Sequence, residues 1–506
     1  MTTNQLSNFT LNQLESGMQL VHSGNQVYQV TDALAEQFKP GDHLVFVRGF
    51  SEPIIIPSES MALVEQEVNA AVDGFYSLNS VADSAIDAFY DACADRLNTP
   101  SIWETIQTIN HQDVAQATAK GRSTTRLVAD DTCKTQMIDG LLDVKRQNTP
   151  RVSAIQSVTH DGWSVDVLKS PLGVVGFVFE GRPNVVVDAT SVLKSGNAVV
   201  FRVGGDAVNT ARALMDHVLL PALDWVGISR NAIRFIDSTA HSAAWALFSN
   251  QKINLAVARG SGHAVRMLGG IAQQFGIPVS LHGTGGAWMV TSKNSNIDRL
   301  HAAIVDSLDR KVCNTLNTLC MLKSEFEKQL PVVLNALDSA GDNVGHKVKV
   351  HVAVPSMGYF SSEGFSDTID VVRASGVVQE PQYEPLDLQA IGTEWEWEKT
   401  PEITIVVVES IDEAIELFNC YSAQFVASLI TQSQLELIDF FNRINAPFVG
   451  NGMTRWVDGQ YALNAPELGL SNWENGRFLA RSAILSGDSV YTTRLKMNQV
   501  VVGLQR

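Results

Sequence analysis

One of the five cysteines, Cys313, is the residue of this sequence best suited to covalent chemistry. It directly follows a pair of cations in the segment Asp309-Arg310-Lys311-Val312-Cys313-Asn314-Thr315. Because the thiolate is the nucleophilic form of cysteine and neighbouring cations favour it, this spacing predicts a reactive thiol. A buried structural thiol is the alternative, since unpaired cysteines are among the most buried residues in proteins.

Two glycine-containing turns have the composition of nucleotide-binding loops. The first is Arg202-Val203-Gly204-Gly205, which lies between a predicted strand and a predicted helix, an arrangement that presents backbone N–H groups and a cation to a phosphate. No acidic residue follows Arg202 within three positions, which favours the 2′-phosphate of NADP over the ribose hydroxyl of NAD. The second turn is Arg259-Gly260-Ser261-Gly262. Ordinary turns are the alternative, because no G-x-G-x-x-G fingerprint is present.

Composition excludes several classes of protein. The 506 residues are 45% hydrophobic and 18% charged, with a formal net charge of −17, which opposes binding to nucleic acid or to an anionic membrane. No segment approaches 18 uninterrupted apolar residues, and Met1–Leu6 lacks a basic and apolar leader pattern. We therefore expect a cytoplasmic protein. The odd, scattered cysteines without C-x-x-C predict neither disulfides nor a metal site.

The elements that must position these residues change in type along the chain. Short apolar runs separated by turns, at 26–30, 43–47 and 54–57, predict a strand-rich N-terminal module. Apolar residues three and four apart predict helices from about 61 to 146. From 165 onward, strands such as 174–179, 197–202, 253–257, 277–281 and 403–408 alternate with helical patterns. This alternation predicts an α/β fold with mostly parallel sheets.

The motifs, taken in order, resemble those of γ-glutamyl phosphate reductase, also called glutamate-5-semialdehyde dehydrogenase, a branch of the aldehyde dehydrogenase superfamily. The resemblance runs from about residue 75 to the C-terminus. The residues that carry it are Pro171-Leu172-Gly173-Val174-Val175-Gly176, Glu180-Gly181-Arg182-Pro183-Asn184-Val185, Leu193-Lys194-Ser195-Gly196-Asn197, Arg259-Gly260-Ser261-Gly262, Val312-Cys313-Asn314-Thr315, Thr393-Glu394-Trp395 and Asn451-Gly452-Met453-Thr454-Arg455.

The resemblance implies an aldehyde dehydrogenase-like architecture. Residues 1–70 would form an appended module, 71–280 a Rossmann-like NADP-binding domain, 281–450 the catalytic cysteine domain, and 451–506 a return to the cofactor domain with an oligomerisation tail. A hairpin at 152–169, turning at His160-Asp161-Gly162, and a tail strand including 499–503 would serve oligomerisation. The expected assembly is a homodimer or homotetramer, and coupling to an upstream acyl kinase is expected with it.

The resemblance also implies the chemistry. The Cys313 thiolate would attack an acyl phosphate, L-γ-glutamyl 5-phosphate, and NADPH would reduce the resulting thioester to the semialdehyde, as in proline biosynthesis. The oxyanion would be held by the backbone N–H of Cys313 and by Asn184 or Arg182, an alternative that the sequence leaves open. Arg202, Gly204, Gly205 and the 259–262 turn would bind the cofactor. Glu398 would hold the nicotinamide ribose, and Lys194 and Lys311 are either phosphate ligands or solvated surface cations.

The sequence contains no glutamate between Glu180 and Glu325. Hydrolytic aldehyde dehydrogenases carry a glutamate ahead of the cysteine that activates water, whereas Ser280 or a neighbour stands on that strand here, and a general base must be titratable. His282 is a weaker alternative for a base. The thioester is therefore expected to exchange with phosphate rather than react with water.

The sequence departs from the reductases around the expected acyl pocket and dimer contact. Asn317 replaces an acidic residue four positions after the cysteine, and 461–467 replaces a glycine-rich stretch. Of a final His-Ala-Arg-Gly-Pro motif, Ala480-Arg481 remains, and a basic cluster is reduced to Lys169. These departures leave two alternatives open: a related reductase for another acyl phosphate or a CoA or carrier thioester, and a catalytically inactive scaffold.

Overall fold

A computed structural model describes residues 11–122, 124, 126–147, 151–373, 376–473, 476, 478 and 480–504. The segment Met1–Leu6, for which no leader was expected, lies outside these residues. The chain divides into two compact units. The first takes in the described residues of Met1–Leu281, with Pro466–Gly469 and Leu485–Arg506, and the second comprises His282–Ala465 and Leu470–Ile484.

The strands, in chain order, are β1 Gln19–His22, β2 Gln26–Gln29, β3 His43–Val45, β4 Ile54–Ile56, β5 Ala154–His160, β6 Trp163–Pro171, β7 Val174–Val178, β8 Ala198–Arg202, β9 Ile233–Phe235, β10 Ile253–Arg259, β11 Val279–His282, β12 Ala287–Thr291, β13 Leu316–Leu322, β14 Lys349–Ala353, β15 Thr368–Arg373, β16 Gly376–Pro381, β17 Tyr383–Leu386, β18 Glu402–Val408, β19 Val426–Ile430, β20 Phe448–Gly450, β21 Glu467–Leu470, β22 Ile484–Ser486 and β23 Tyr491–Gln499.

The α-helices are α1 Asp32–Gln37, α2 Ser58–Leu78, α3 Asp83–Asn98, α4 Pro100–Ala119, α5 Asp131–Arg146, α6 Val185–Asp188, α7 Val208–Leu214, α8 Leu220–Val226, α9 His241–Ser249, α10 Gly262–Gln274, α11 Ile297–Asp306, α12 Phe326–Val344, α13 Glu363–Ser366, α14 Ile411–Tyr421, α15 Gln434–Arg443 and α16 Gly459–Leu463. A π-helical stretch, Met215–Leu219, joins α7 to α8. Short 3₁₀ segments occupy Ala189–Ser195, Gly205–Ala207, Arg230–Ala232, Lys323–Glu325, Val354–Tyr359, Leu388–Ala390 and Gly487–Ser489.

The first unit is built on a five-stranded sheet in the order β11-β10-β7-β8-β9, with parallel pairing from β10 to β9. Alternate residues of its central strands face two separate cores: Val175 and Phe177 of β7 pack with α3–α5, α7 and α8, whereas Val174 and Val178 pack with α2, α9 and α10. Burial on both faces explains why these strands are almost continuously apolar.

The second unit contains a seven-stranded sheet in the order β17-β14-β18-β13-β12-β19-β20, in which every neighbouring pair is parallel. Leu319 and Met321 of β13 face the core that includes α11 and α12, and Cys320 and Leu322 face the core formed with α14 and α15. The predicted α/β fold with parallel sheets is confirmed.

The N-terminal module consists of two antiparallel hairpins, β1–β2 and β3–β4, with α1 between them. Val45, Val47 and Ile56 join the core around α2, α9 and α10, so this module packs onto one face of the first sheet. No helix within the described ranges is long and apolar enough to cross a membrane.

The predicted hairpin forms as β5 and β6, and β23 pairs antiparallel with β6. The tail strand, however, ends at Gln499 rather than continuing to 503. The N–H groups of Val500 and Val501 both donate to Gly162 O, which bends the chain around the hairpin tip. Gly162 is needed there, because a Cβ would lie 2.4 Å from a Val501 methyl carbon.

Candidate active site

Cys313 lies in a turn that enters β13, at the amino end of the second sheet. Its carbonyl accepts a 2.7 Å hydrogen bond from the N–H of Gly286, and the turn closes where the N–H of Thr315 donates to Val312 O at 3.1 Å. The Thr315 hydroxyl accepts from the Val312 N–H and donates to Arg310 O. These bonds fix the backbone on both sides of the thiol.

The cations that precede Cys313 have partners that the sequence did not indicate. The Lys311 ammonium is almost fully buried and lies 2.5 Å from Oε1 of Glu394, while Oε2 of Glu394 accepts the N–H of Gly285 at 2.7 Å. Arg310 is largely exposed, 4.0 Å from Asp309. The expectation that Lys311 is either a phosphate ligand or a solvated surface cation is therefore corrected: it forms a buried ion pair.

Gly285 is wedged between Cys313 and Glu394. A Cβ at this position would lie 2.5 Å from the carbonyl oxygen of Cys313 and 2.8 Å from Oε1 of Glu394, so the close approach requires glycine. Glu394 thus holds two chain segments that flank the thiol turn. It belongs to the Thr393-Glu394-Trp395 motif, to which the sequence assigned no chemical role. Glu398, which was predicted to hold the nicotinamide ribose, is exposed on the loop before β18.

Asn314 and Arg455 brace the other side of the turn. The Asn314 amide donates to Val457 O at 2.7 Å and accepts from the Arg455 guanidinium, which also bonds Asp309 at 2.7 Å. The Thr454 hydroxyl donates to Asn314 O at 2.7 Å. Cys313 itself is partly buried against a small apolar core that includes Ala287, Phe425 and Phe448.

Three other thiols are poor nucleophiles. Burial raises the pKa of Cys93 and of Cys320 well above the ordinary range. Burial, with the nearby carboxylates of Asp130 and Asp188, raises the pKa of Cys133 to about 11. Since the thiolate is the reactive form, these three cysteines remain protonated at neutral pH.

Apart from Glu398, the predicted cofactor residues lie in the first unit, near the carboxyl ends of its strands. Arg202 closes β8 and is almost completely buried, with its guanidinium donating to Thr239 O at 2.9 Å. Its Nε has no hydrogen-bond partner among the described residues, and no carboxylate in that part of the chain forms an ion pair with it. Burial lowers the pKa of Arg202. A buried guanidinium with unused donors fits a phosphate group.

One backbone N–H in the first turn of the helix after Gly204 and Gly205 already has a partner within the protein. Asp113 of α4 caps it, because its carboxylate accepts both the N–H and the hydroxyl of Thr210 at 2.8 Å. Asp206 in the same turn pairs with Arg122. Gly204 packs closely against the backbone of Gly181, where a Cβ would lie 2.7 Å from the Gly181 nitrogen.

The 259–262 turn keeps a simpler arrangement. Ser261 is the N-cap of α10, and its hydroxyl accepts the N–H of Ala264. Gly260 has open space where a Cβ would be. Of the two turns, this one therefore presents the more accessible helix N-terminus.

A half-buried charged cluster lies beside these strand ends. Arg182 pairs with Glu180 at 2.8 Å, and the Arg259 guanidinium lies 3.9 Å from Asp188 at the end of α6. Burial above all raises the pKa of Asp188 to about 7; the nearby Glu467 and Glu180 also raise it, while Arg259 and Arg182 lower it. Asn184 directly precedes α6. Sequence reasoning missed Asp188, since no local pattern distinguishes it from an ordinary helix carboxylate.

Lys194 has a structural role in the first unit. Its buried ammonium lies 2.5 Å from Asp87 and donates to Lys145 O at 2.8 Å. The alternatives of phosphate ligand and solvated cation are both replaced by this bridge between α3, α5 and the Ala189–Ser195 segment.

Comparison with known proteins agrees with this architecture. No protein-family model matches the chain. A solved structure of γ-glutamyl phosphate reductase from Thermotoga maritima superposes with a TM-score of 0.74 at 22% identity, covering 87% of this chain and all of that one. An engineered glycolyl-CoA reductase with bound NADP⁺ superposes with a TM-score of 0.57 at 16% identity, covering 86% of this chain and 96% of that one. The fold is that of the aldehyde dehydrogenase-like oxidoreductases.

Within this class, the chain is similar to curated γ-glutamyl phosphate reductases. It is 28% identical over 425 residues to γ-glutamyl phosphate reductase 2 of Bacillus licheniformis, which covers 82% of this chain and 92% of that protein. The resemblance indicated by the sequence motifs is confirmed, and the chain is an oxidoreductase related to these enzymes.

Proposed function

We propose that this protein reduces an acyl phosphate, L-γ-glutamyl 5-phosphate, to glutamate 5-semialdehyde with NADPH, as in proline biosynthesis. The observation that carries the proposal is the Cys313 turn, in which Glu394 and Gly285 hold the backbone around the thiol. The 28% identity to a γ-glutamyl phosphate reductase supports the choice of substrate.

The reaction would proceed through a thioester on Cys313. The thiolate attacks the acyl carbonyl, the C–O bond to phosphate breaks, and inorganic phosphate leaves with the electron pair. When bound, NADPH supplies a hydride to the thioester carbonyl. The thiohemiacetal then expels the Cys313 thiolate and releases the aldehyde. In the reverse direction phosphate cleaves the thioester.

The chain's own residues would stabilise the oxyanion. The backbone N–H of Cys313 is one donor. Of the two side chains proposed from the sequence, Arg182 is already paired with Glu180, so we assign the second donation to Asn184. Both oxygens of Glu394 are engaged, by Gly285 and by Lys311, which suits a positioning group better than a base for water.

Arg202 would bind the 2′-phosphate of the cofactor, and Gly260, Ser261 and Gly262 would lie along its pyrophosphate at the start of α10. Arg259, at the end of β10, would keep its place beside Asp188 when the cofactor binds. Glu398 remains a candidate for the nicotinamide ribose.

The enzyme would act as a homodimer or homotetramer in the cytoplasm, supplied by an acyl kinase. The exposed strands β5 and β23 at the edges of the three-stranded sheet are the surfaces expected to pair with other subunits.

One assay tests the proposal. NADP⁺ reduction with glutamate 5-semialdehyde is measured in phosphate, in CoA and in neither, for wild type and Cys313→Ser. Turnover that requires phosphate and falls at least about a thousandfold in Cys313→Ser is expected, because no other side chain replaces the nucleophile.

Cys420→Ser is the matched control, since Cys420 is an exposed cysteine on α14, and it should keep wild-type turnover. Turnover that requires CoA would point to the thioester-reductase alternative. Equal activity in Cys313→Ser would refute the thioester mechanism, and a wild type inactive in all three media would support the scaffold alternative.

A further inference from the structure

Asn317 is a buried amide that anchors the segment carrying Glu394. Its Nδ2–H donates to Thr393 O at 2.8 Å, and its Oδ1 accepts the N–H of Trp395 at 2.9 Å. A carbonyl can only accept and a backbone N–H can only donate, so this position requires a side chain with both functions. The Asn317 amide is therefore hydrogen-bonded to the residues on both sides of Glu394.

Trp395 is held by two further contacts. Its indole N–H donates to Thr404 at 2.8 Å, and its ring stacks on His351 at a centroid distance of 3.6 Å. The backbone of 393–395 is thus pinned at the amide and at the indole, which leaves the Glu394 carboxylate little freedom to move.

Glu394 connects this anchored segment to the thiol turn. One carboxylate oxygen receives the N–H of Gly285, whose neighbour Gly286 donates to the Cys313 carbonyl. The other oxygen receives Lys311, two residues before the cysteine. A shift of Glu394 would therefore loosen both segments that frame Cys313.

We propose that Asn317 is a positioning residue that sets the geometry of the Cys313 turn through Glu394. An ionised acid at 317, the residue type that the related reductases were expected to carry, would place a carboxylate oxygen against the Thr393 carbonyl and lose one bond. The expected effect of Asn317 on turnover rests on the proposed function. Its expected effect on the backbone around Gly285 does not.

The chain offers a matched control. Asn110 of the first unit makes the same two bonds across three residues: its amide donates to Leu127 O at 2.8 Å and accepts the N–H of Ala129 at 2.8 Å. It is fully buried, like Asn317, but it belongs to the other unit. Asn110→Asp therefore reproduces the chemical change away from the thiol turn.

Hydrogen–deuterium exchange of the peptide covering 283–288 tests, without any substrate, whether Asn317 maintains the hydrogen bond from the Gly285 N–H to Glu394. In Asn317→Asp at pH 8, exchange corrected for its intrinsic rate should be at least about tenfold faster than in wild type, because the Gly285 N–H loses its fixed acceptor. At pH 5.5 the protonated acid can donate to Thr393 O again, so protection should return towards wild type.

Asn317→Leu should exchange fast at both pH values, because leucine has no proton to regain. Asn110→Asp should leave the 283–288 peptide unchanged. Wild-type exchange in Asn317→Asp at pH 8, or equal acceleration in Asn110→Asp, would overturn the proposal. If Asn317→Leu fails to fold, Asn317→Asp at the two pH values still decides.

Turnover gives an independent measure. The kcat of Asn317→Asp relative to wild type should rise at least about fivefold between pH 8 and pH 5.5, while the same ratio for Asn110→Asp should stay constant. A constant ratio for Asn317→Asp would contradict the positioning role. A wild type without turnover would count against the proposed function, and the exchange result would then decide on Asn317 alone.

Discussion

The two parallel sheets bury charge at opposite ends. In the first unit, Arg202 and Arg259 close β8 and β10 at the carboxyl edge, whereas in the second unit Lys349 and Glu402 open β14 and β18 at the amino edge. Arg202 and Lys349 are equally inaccessible, at 4% and 3% exposure. Arg202 and Lys349 therefore differ in their ion pairing rather than in their burial.

At the amino edge the charges form close pairs. Arg373 binds Glu380 at 2.6 Å and also bonds Glu402, while Lys349 lies 2.8 Å from Glu384. His351 lies 3.0 Å from Glu402. The hydrogen bond from Arg373 is the main cause that lowers the pKa of Glu380 to about 2. Burial raises the pKa of Glu402, but hydrogen bonds from His351 and Arg373 outweigh it and lower that pKa. Such a network stabilises a fold.

At the carboxyl edge, Arg202 has no carboxylate partner among the described residues. Arg202 bonds a backbone carbonyl, and Asp188 stays 3.9 Å from Arg259 with a pKa of about 7. A buried charge without a partner of opposite charge costs stability. Ligands of open α/β sheets bind at the carboxyl ends of the strands. Arg202 is therefore the charge of this edge to test for function.

Removing Arg373 should have the largest effect. Arg373→Met leaves Glu402 buried with one partner fewer, and breaking a buried pair in this way costs about 3–5 kcal/mol. We expect that loss in the free energy of unfolding, measured by urea denaturation followed by tryptophan fluorescence. A loss no greater than that of the exposed Arg443→Ala control would show that the network is not structural.

Asp188→Asn should act in the opposite direction. A carboxyl whose pKa is raised on folding binds its proton more tightly in the folded state, so wild-type stability falls as pH rises from about 4 to about 7. At pH 8.5 the variant should be more stable than wild type by about 2–4 kcal/mol, since each pKa unit corresponds to about 1.4 kcal/mol. The difference should nearly vanish at pH 4, and equal differences at both pH values would contradict the shift.

Arg202→Met should separate ligand binding from stability. Loss of a charge-assisted contact worth about 2–3 kcal/mol should raise the KM for NADPH about 30- to 150-fold and leave the KM for NADH nearly unchanged. Unfolding measured in urea should change little, because the lost group pairs with no described carboxylate. Equal effects on both cofactors would remove Arg202 from the phosphate site.

Glu380→Gln should have the smallest effect. The depressed pKa of Glu380 contributes stability that is complete above pH 4.5 and is lost as pH falls through about 2. The variant should therefore lose about 1–2 kcal/mol at pH 7, and the deficit should shrink between pH 4.5 and 2. Acid titration of both proteins by circular dichroism checks this, and a deficit that is constant with pH would contradict it.

Much of the fold follows from local patterns. The apolar runs that became β7, β8, β10 and β18 were predicted within a few residues, because a strand buried on both faces excludes polar side chains. The prediction of a tail strand was wrong beyond Gln499, because the bend there depends on hydrogen bonds to Gly162, which is distant in the sequence.

The candidate site was only partly predictable, for the same reason. The capping of α7 by Asp113 spans 97 residues, and the pairing of Lys311 with Glu394 spans 83. Neither contact leaves a signal in the residues adjacent to it, so the sequence suggested an open helix N-terminus and an unpaired cation. It also assigned no role to Glu394, whose partners Gly285 and Lys311 lie 109 and 83 residues away in the sequence.

The sequence by itself determined the α/β class and the relationship to the acyl phosphate reductases, and it predicted Cys313 as the nucleophile, because residue type and hydrophobic periodicity are properties of short segments. Only the tertiary structure decided which charges are neutralised and which remain available. Asn317 illustrates the division: the sequence marks it as a departure from an acidic residue, and the fold brings Thr393 and Trp395 against it, so that the amide satisfies both whereas an ionised acid does not. Hydrogen-bond partners in a folded chain are chosen by three-dimensional proximity, which the sequence does not state.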